Sequence, residues 1–197
     1  MCSWCWAFRP AWQEFLAQCP ADITVQYVLG GLAEDSMAAM PLSLQSSLQN
    51  TWRKIQQTVP GTVFNFDFWT RCQPRRSTWI ACRAVIAATD QGEPYQAAMI
   101  LAIQNAYYLS AKNPSDEHVL IGLAEDLGLN IPAFTLALNS EQTRQRLSDQ
   151  MALARQLGAQ GFPSLILSLN GRQQLLRLDY NHPRVMLESL NRLLRNH

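Results

Sequence analysis

Charge is scarce in this sequence and nearly balanced. Asp, Glu, Lys and Arg make up 16% of its 197 residues, and the formal net charge is +1. That balance gives no electrostatic case for nucleic acid or an anionic membrane as a partner. The arginines are dispersed, and Arg75-Arg76 reads as the solvated start of a helix. No run of 18 apolar residues occurs, so no membrane-spanning helix is expected. No signal peptide precedes the first cysteine, so the chain as written is expected in the cytoplasm. Histidine is sparse, with His118, His182 and His197 far apart. Of five cysteines, Cys19, Cys72 and Cys82 stand alone, and the odd total argues against a secreted disulfide framework. Repeats and low-complexity tracts are missing too. Apolar residues, at 48%, suffice for one packed domain or a core with an insertion.

What the sequence does have, at its start, is Cys2-Ser3-Trp4-Cys5. Trp6, Phe8, Trp12, Phe15 and Leu16 follow near one face of a helix, which puts the pair at a helix N-terminus. The first backbone N–H groups of a helix have no internal partner and carry partial positive charge. A thiolate there is stabilised and becomes the nucleophile of thiol–disulfide exchange. Three residues apart, Cys2 and Cys5 are one turn from each other and can close a small disulfide. The same spacing is half of a zinc knuckle. No second Cys-x-x-Cys and no close histidine pair exists to complete it. No metal site is therefore assigned, and in a reducing compartment such a pair is more often catalytic than structural.

Residues 6–18 read as the helix carrying the motif, ended by Pro20. Ile23 to Leu29 is β-branched and apolar and reads as a buried strand broken by Gly30-Gly31. Pro41 to Gln57 is helical, and residues 62–68 alternate like a short extended segment. From Thr78 to Gly158 four or five helices follow one another: Ile80–Thr89, Pro94–Lys112, one capped by Ser115-Asp116-Glu117 and stopping at Gly128, Pro132–Leu138, and one opened by Asn139-Ser140. Leu165–Leu169 and Gln174–Leu178 flank the hairpin signal Asn170-Gly171. Pro183 opens a last amphipathic helix. Three parts result: 1–35 with the cysteine pair, a helical insertion over 36–157, and 158–197.

Cys2-Ser3-Trp4-Cys5-Trp6, Arg75-Arg76-Ser77-Thr78 with Ala81-Cys82-Arg83-Ala84-Val85, and Gly161-Phe162-Pro163 before a strand resemble the DsbA-like thioredoxin superfamily, in its FrnE-type branch. The resemblance covers nearly the whole chain. It implies an α/β fold, a thioredoxin core with a helical domain inserted. It implies that Cys2 attacks, Cys5 resolves, and a cis Pro163 packs beside them. A trans Pro163 starting a strand is the plain alternative. The family also places a strand before the cysteine motif, so the first strand is missing as written. Either an upstream segment or another chain is expected to supply it. The family's strongly oxidising members carry a His between the cysteines where this chain has Ser-Trp, so a less depressed Cys2 pKa is expected.

The expected activity is thiol–disulfide exchange on a thiol- or disulfide-bearing protein or small molecule, by a monomer or homodimer. Ser3, Trp4, Phe162 and Pro163 are candidate substrate contacts. Cys82 reads as a small buried hydrophobe or a third redox thiol, and Arg83 as an accessory cation. Glu14 and Asp179 are candidate proton acceptors for Cys5, while His118 and His182 read as surface residues. No cofactor beyond the Cys2–Cys5 couple is expected, with glutathione or a thioredoxin system as reductant. Two alternatives stand. One is a glutathione-dependent transferase or isomerase of the kappa or 2-hydroxychromene-2-carboxylate type, which carries serine where Cys2 stands. The other is a non-catalytic peptide-binding module.

Overall fold

A computed structural model describes residues 1–195, and His197 lies outside the described residues. Cys2, with extended backbone (φ −88°, ψ 111°), lets helix α1 begin at Ser3 and run to Ala17. α1 buries Ala7, Phe8, Ala11 and Phe15 along one stripe. α2 (Leu42–Thr58) and the single turn α3 (Phe68–Arg71) follow. Then come α4 (Trp79–Thr89), α5 (Pro94–Tyr108), α6 (Glu117–Asp126), α7 (Ile131–Asn139) and α8 (Glu141–Gln156) with no strand between them. Strands β1 (Leu165–Leu169) and β2 (Arg172–Leu176) form an antiparallel hairpin, and α9 (Pro183–Arg195) closes the chain.

α4 is the hub of the helical block. Its Ala81, Ala84, Ala87 and Ala88 are each at most 2% exposed. Such small side chains let α5, α7 and α8 all pack against one helix. α7 and α8 start on real caps: Asn130 accepts from the Ala133 N–H and Ser140 from the Thr143 N–H. A second cluster is aromatic and surrounds Trp52, which is 1% exposed. Phe64 stacks on it at 4.8 Å, and Trp69 and Tyr108 lean on it at 4.9 and 5.6 Å. A third cluster joins α1 to α9 and the hairpin through Phe8, Phe15, Met186 and Leu190.

Several expectations need correction. Residues 23–29 are not a buried strand. They are half-exposed or exposed, and Val25 is 38% exposed. The Ile23 N–H goes back to Pro20 and the Leu29 N–H to the Gln150 side chain, so no neighbouring strand pairs with them. A strand is defined by its partner, and among the described residues this segment has none. α5 stops at Tyr108, because Ala111 turns left-handed (φ 49°) and the Lys112 N–H folds back to Ala106 O. α6 has no side-chain cap: the Asp116 carboxylate is taken by Arg75, and Ser115 Oγ donates to Ser77 O. Arg75 is thereby an internal tie, not a solvated residue. β2 begins at Arg172, because Asn170 (φ 50°) and Gly171 (φ 75°) form a two-residue turn that pairs Leu169 with Arg172.

Trp52→Ala empties the centre of the aromatic cluster. It is expected to destabilise the chain by about 3–5 kcal/mol, read as a lower denaturant midpoint at unchanged slope. A loss under about 1 kcal/mol would show that Trp52 is not the packed centre of that cluster.

Candidate active site

Cys2 ends up at the open end of α1 because it caps the helix. Its carbonyl takes the Trp6 N–H at 3.4 Å, leaving the first-turn N–H groups aimed at its sulfur. All five cysteines are free thiols. Cys2 and Cys5 are both half-buried. From the other side, Cys2 Sγ–H donates to Phe162 O at 3.2 Å. The Phe162–Pro163 bond is cis, as the sequence resemblance implies. The Phe162 ring lies against Gly30, so closely that a Cβ there would sit 1.9 Å from the ring. At Gly31 (φ 55°) a Cβ would meet Met151 Sδ at 2.0 Å, and the carbonyl accepts from Trp79 Nε1 at 2.9 Å. The two glycines are thus close-approach positions that seat Phe162, and with it the carbonyl facing Cys2.

The two thiols divide the work electrostatically. The Cys2 pKa falls from an ordinary 9.0 to about 7. The main cause is hydrogen bonding from the Cys5 thiol to the Cys2 sulfur. Burial opposes it, and the Cys5 and Trp4 backbone N–H groups add to it. Cys5 moves well above 9.0, because its proton is held by Cys2 and because burial disfavours its thiolate. Phe162 O accepts only from the neutral Cys2 thiol, so ionisation exchanges that bond for the α1 donors.

Aromatic rings frame the pair. Trp4 meets the Tyr180 edge at 5.4 Å, and Tyr180 meets Phe8 at 5.3 Å. Burial, with Cys5 next, pushes the Tyr180 hydroxyl up to about 12. Trp6 stacks on Tyr108 at 5.6 Å, and its Nε1 donates to Val63 O at 3.0 Å. Tyr108 is wholly buried, and its hydroxyl has no hydrogen-bond partner among the described residues.

Of the residues singled out in the sequence, Cys2, Cys5, Trp4, Phe162 and Pro163 come together. Ser3 is 8% exposed and offers little surface to a substrate. Arg83 is 4% exposed; it binds Asp35 at 2.6 Å and Leu138 O at 3.2 Å, holding the 31–35 loop to the helical block. Cys82 is half-buried on α4, and burial raises its pKa. Glu14 takes the Gln18 amide, and Asp179 takes the Asn181 and His182 N–H groups; neither hydrogen-bonds Cys5 among the described residues. His118 and His182 are exposed, and Cys72 donates to Ala111 O. Among the described residues no group of three or more Cys, His, Asp or Glu side chains is placed to hold a metal ion. No described helix is long and apolar enough to cross a membrane. Sequence reasoning missed Gly30, Tyr108 and Tyr180, whose roles rest on contacts over 70 or more positions; only the Gly-Gly pair gave a signal, and it was read as a strand breaker.

Comparison with known proteins places this geometry. A family model for the DSBA-like thioredoxin domain matches residues 1–185. A solved Nitrosomonas europaea structure, described as a protein disulfide isomerase, superposes with TM-score 0.84 at 25% identity, covering 100% of this chain and 94% of that one. The cytosolic disulfide reductase DsbM from Pseudomonas aeruginosa superposes with TM-score 0.77 at 25% identity, covering 100% and 96%, and has also been solved with GSH. In sequence, the chain is 24% identical over 170 residues to the ClpXP adapter protein SpxH of Halalkalibacterium halodurans, covering 84% of this chain and 55% of the relative. The Bacillus subtilis SpxH matches similarly, so the chain spans about half the length of the curated relatives it matches.

The rate of Cys2 alkylation against pH is expected to be half-maximal near pH 7. Cys5→Ala removes the main donor to the thiolate, so the inflection should move up towards 9. An inflection that stays put or falls would show that Cys5 does not stabilise Cys2.

Proposed function

Because the chain belongs to the DSBA-like thioredoxin domain family, we propose that it exchanges disulfides through Cys2 and Cys5. The observation that carries this is the opposed pair of pKa shifts, Cys2 down and Cys5 up, at one helix N-terminus. Near neutral pH such a pair is half-armed. One sulfur is about half thiolate, and the other keeps its proton until needed.

In the exchange, the Cys2 thiolate attacks one sulfur of a substrate disulfide. The Cys2–substrate bond forms, the substrate S–S bond breaks, and the second substrate sulfur leaves as a thiolate. Cys2 can then no longer hold the Cys5 proton, so the Cys5 pKa falls. Cys5 loses its proton and attacks Cys2 Sγ. That step closes the Cys2–Cys5 disulfide and releases the remaining substrate thiolate, which takes up a proton. The substrate gains two electrons, and the enzyme loses two. A thiol reductant, glutathione or a thioredoxin-type dithiol, resets the pair. Net reduction is the favoured direction, supported by the likeness to a cytosolic disulfide reductase and by a Cys2 pKa lowered only to about 7. Trp4 and Phe162, on either side of the cysteines, serve as the substrate-facing surface.

A second reading is a binding role, favoured by the likeness to ClpXP adapters. Cys2→Ser separates the two. It is expected to lower disulfide reduction by at least about a thousandfold while any partner binding survives. Cys5→Ser should keep the first step and accumulate a Cys2–substrate mixed disulfide, visible by mass. Activity retained by Cys2→Ser would overturn the exchange mechanism.

A further inference from the structure

The near-zero net charge hides a segregation. From Ser36 to Thr89 the only carboxylate is Asp67, against Arg53, Lys54, Arg71, Arg75, Arg76 and Arg83. Arg75 and Arg83 are neutralised internally, by Asp116 and Asp35. Arg53, like Arg9 on α1, has no carboxylate partner among the described residues.

Arg9 and Arg53 lie along the rim that begins at Cys2; Arg71 and Arg76 likewise have no carboxylate partner among the described residues. Cys2, Trp6 and Arg9 are spaced four and three apart, so they share one face of α1. The Arg9 guanidinium sits 6.0 Å from the centre of the Trp6 ring. Trp6 Nε1 is tied to the carbonyl of Val63, whose side chain is 59% exposed. Three residues on, Phe66 carries the Arg53 guanidinium 5.3 Å over its ring, with Asn50 Oδ1 accepting one N–H at 3.0 Å. Val63 to Phe66 spans at most about 10 Å, the reach of three extended peptide residues. A guanidinium resting on an aromatic face keeps its in-plane N–H groups free for a carboxylate. The floor is therefore apolar, and the cations Arg9 and Arg53 stand along it; Asp67, exposed beside Phe66, is the carboxylate nearest Arg53 in sequence.

We propose that this rim selects extended polypeptide disulfides with acidic residues next to the cysteine. The substrate sulfur meets Cys2, an apolar side chain lies over Trp6 and Val63, and carboxylates pair with Arg9 and Arg53. The proposal rests on the exchange reading and adds no chemical step to it. It commits to a peptide, because the two cations lie apart along a track and a single small thiol would engage only one.

The test uses three peptides of equal length, each with one disulfide flanked by Glu, Gln or Lys, together with glutathione disulfide. Reduced enzyme is assayed at about 20 mM and about 300 mM salt, either side of effective screening. The expected order of kcat/KM is Glu, then Gln, then Lys, with about tenfold or more between Glu and Lys at low salt and much less at high salt. The Glu-to-Gln ratio should fall towards one in the Arg9→Gln, Arg53→Gln double variant. It should hold in Arg172→Gln, which removes a charge from the hairpin instead. Equal rates on all three peptides, or a ratio the double variant keeps, would overturn the proposal and leave exchange intact. Faster turnover of glutathione disulfide than of the Glu peptide would overturn the peptide assignment. No turnover of any disulfide would remove the exchange reading itself.

Discussion

A thiolate in a half-buried site needs hydrogen-bond donors, and the first turn of α1 supplies them. The Cys5 thiol and the Cys5 and Trp4 N–H groups surround the Cys2 sulfur. The proton they stabilise between the two sulfurs lowers one pKa and raises the other. Without the extended backbone at Cys2, that sulfur would not face the helix end. The opposite wall is Phe162 O, which favours the neutral thiol. Cys2 is held between a wall that wants it protonated and a helix that wants it ionised. Burial opposes ionisation, and the Cys5 thiol with the α1 N–H groups outweighs it, leaving the Cys2 pKa at about 7.

The rest of the fold keeps those two walls in place. The third cluster clamps α1 against α9 and the hairpin that follows Pro163. The aromatic cluster around Trp52 backs Tyr108, on which Trp6 stacks. The Arg83–Asp35 pair and the Trp79–Gly31 bond fasten the 31–35 loop to α4. Next to that loop, Gly30 admits the Phe162 ring. The helical block, far larger than the sheet, thus reaches the reactive sulfur through a short chain of contacts.

The sequence made some of this plain and concealed the rest, for physical reasons. The cysteine pair at a helix start was legible because spacing and periodicity are local. The cap Ser140 and the hairpin turn at Asn170-Gly171 are local signals as well, whereas the cap Asn130 lies two residues before the helix expected from Pro132. Pro163 was assigned through the whole-chain resemblance. Residues 23–29 misled because β-branched composition reports a preference, whereas a strand needs a partner that the described residues do not provide. Arg83 joins Asp35 across 48 positions, and Phe162 joins Gly30 across a still longer separation. No pattern in a single sequence announces such pairs. The cationic rim escaped notice because net charge averages over a chain whose carboxylates gather elsewhere.

The central claim is that Cys2 and Cys5 form a reversible two-electron couple. Equilibration in glutathione buffers of stepped ratio, quenched by alkylation and read by mass, tests it directly. The account predicts one transition between the dithiol and an intramolecular Cys2–Cys5 disulfide. Its midpoint should lie nearer thioredoxin's, about −270 mV, than DsbA's, about −120 mV, given a Cys2 pKa of about 7. Cys2 stopping as a glutathione mixed disulfide with Cys5 still a thiol at every ratio would contradict the claim.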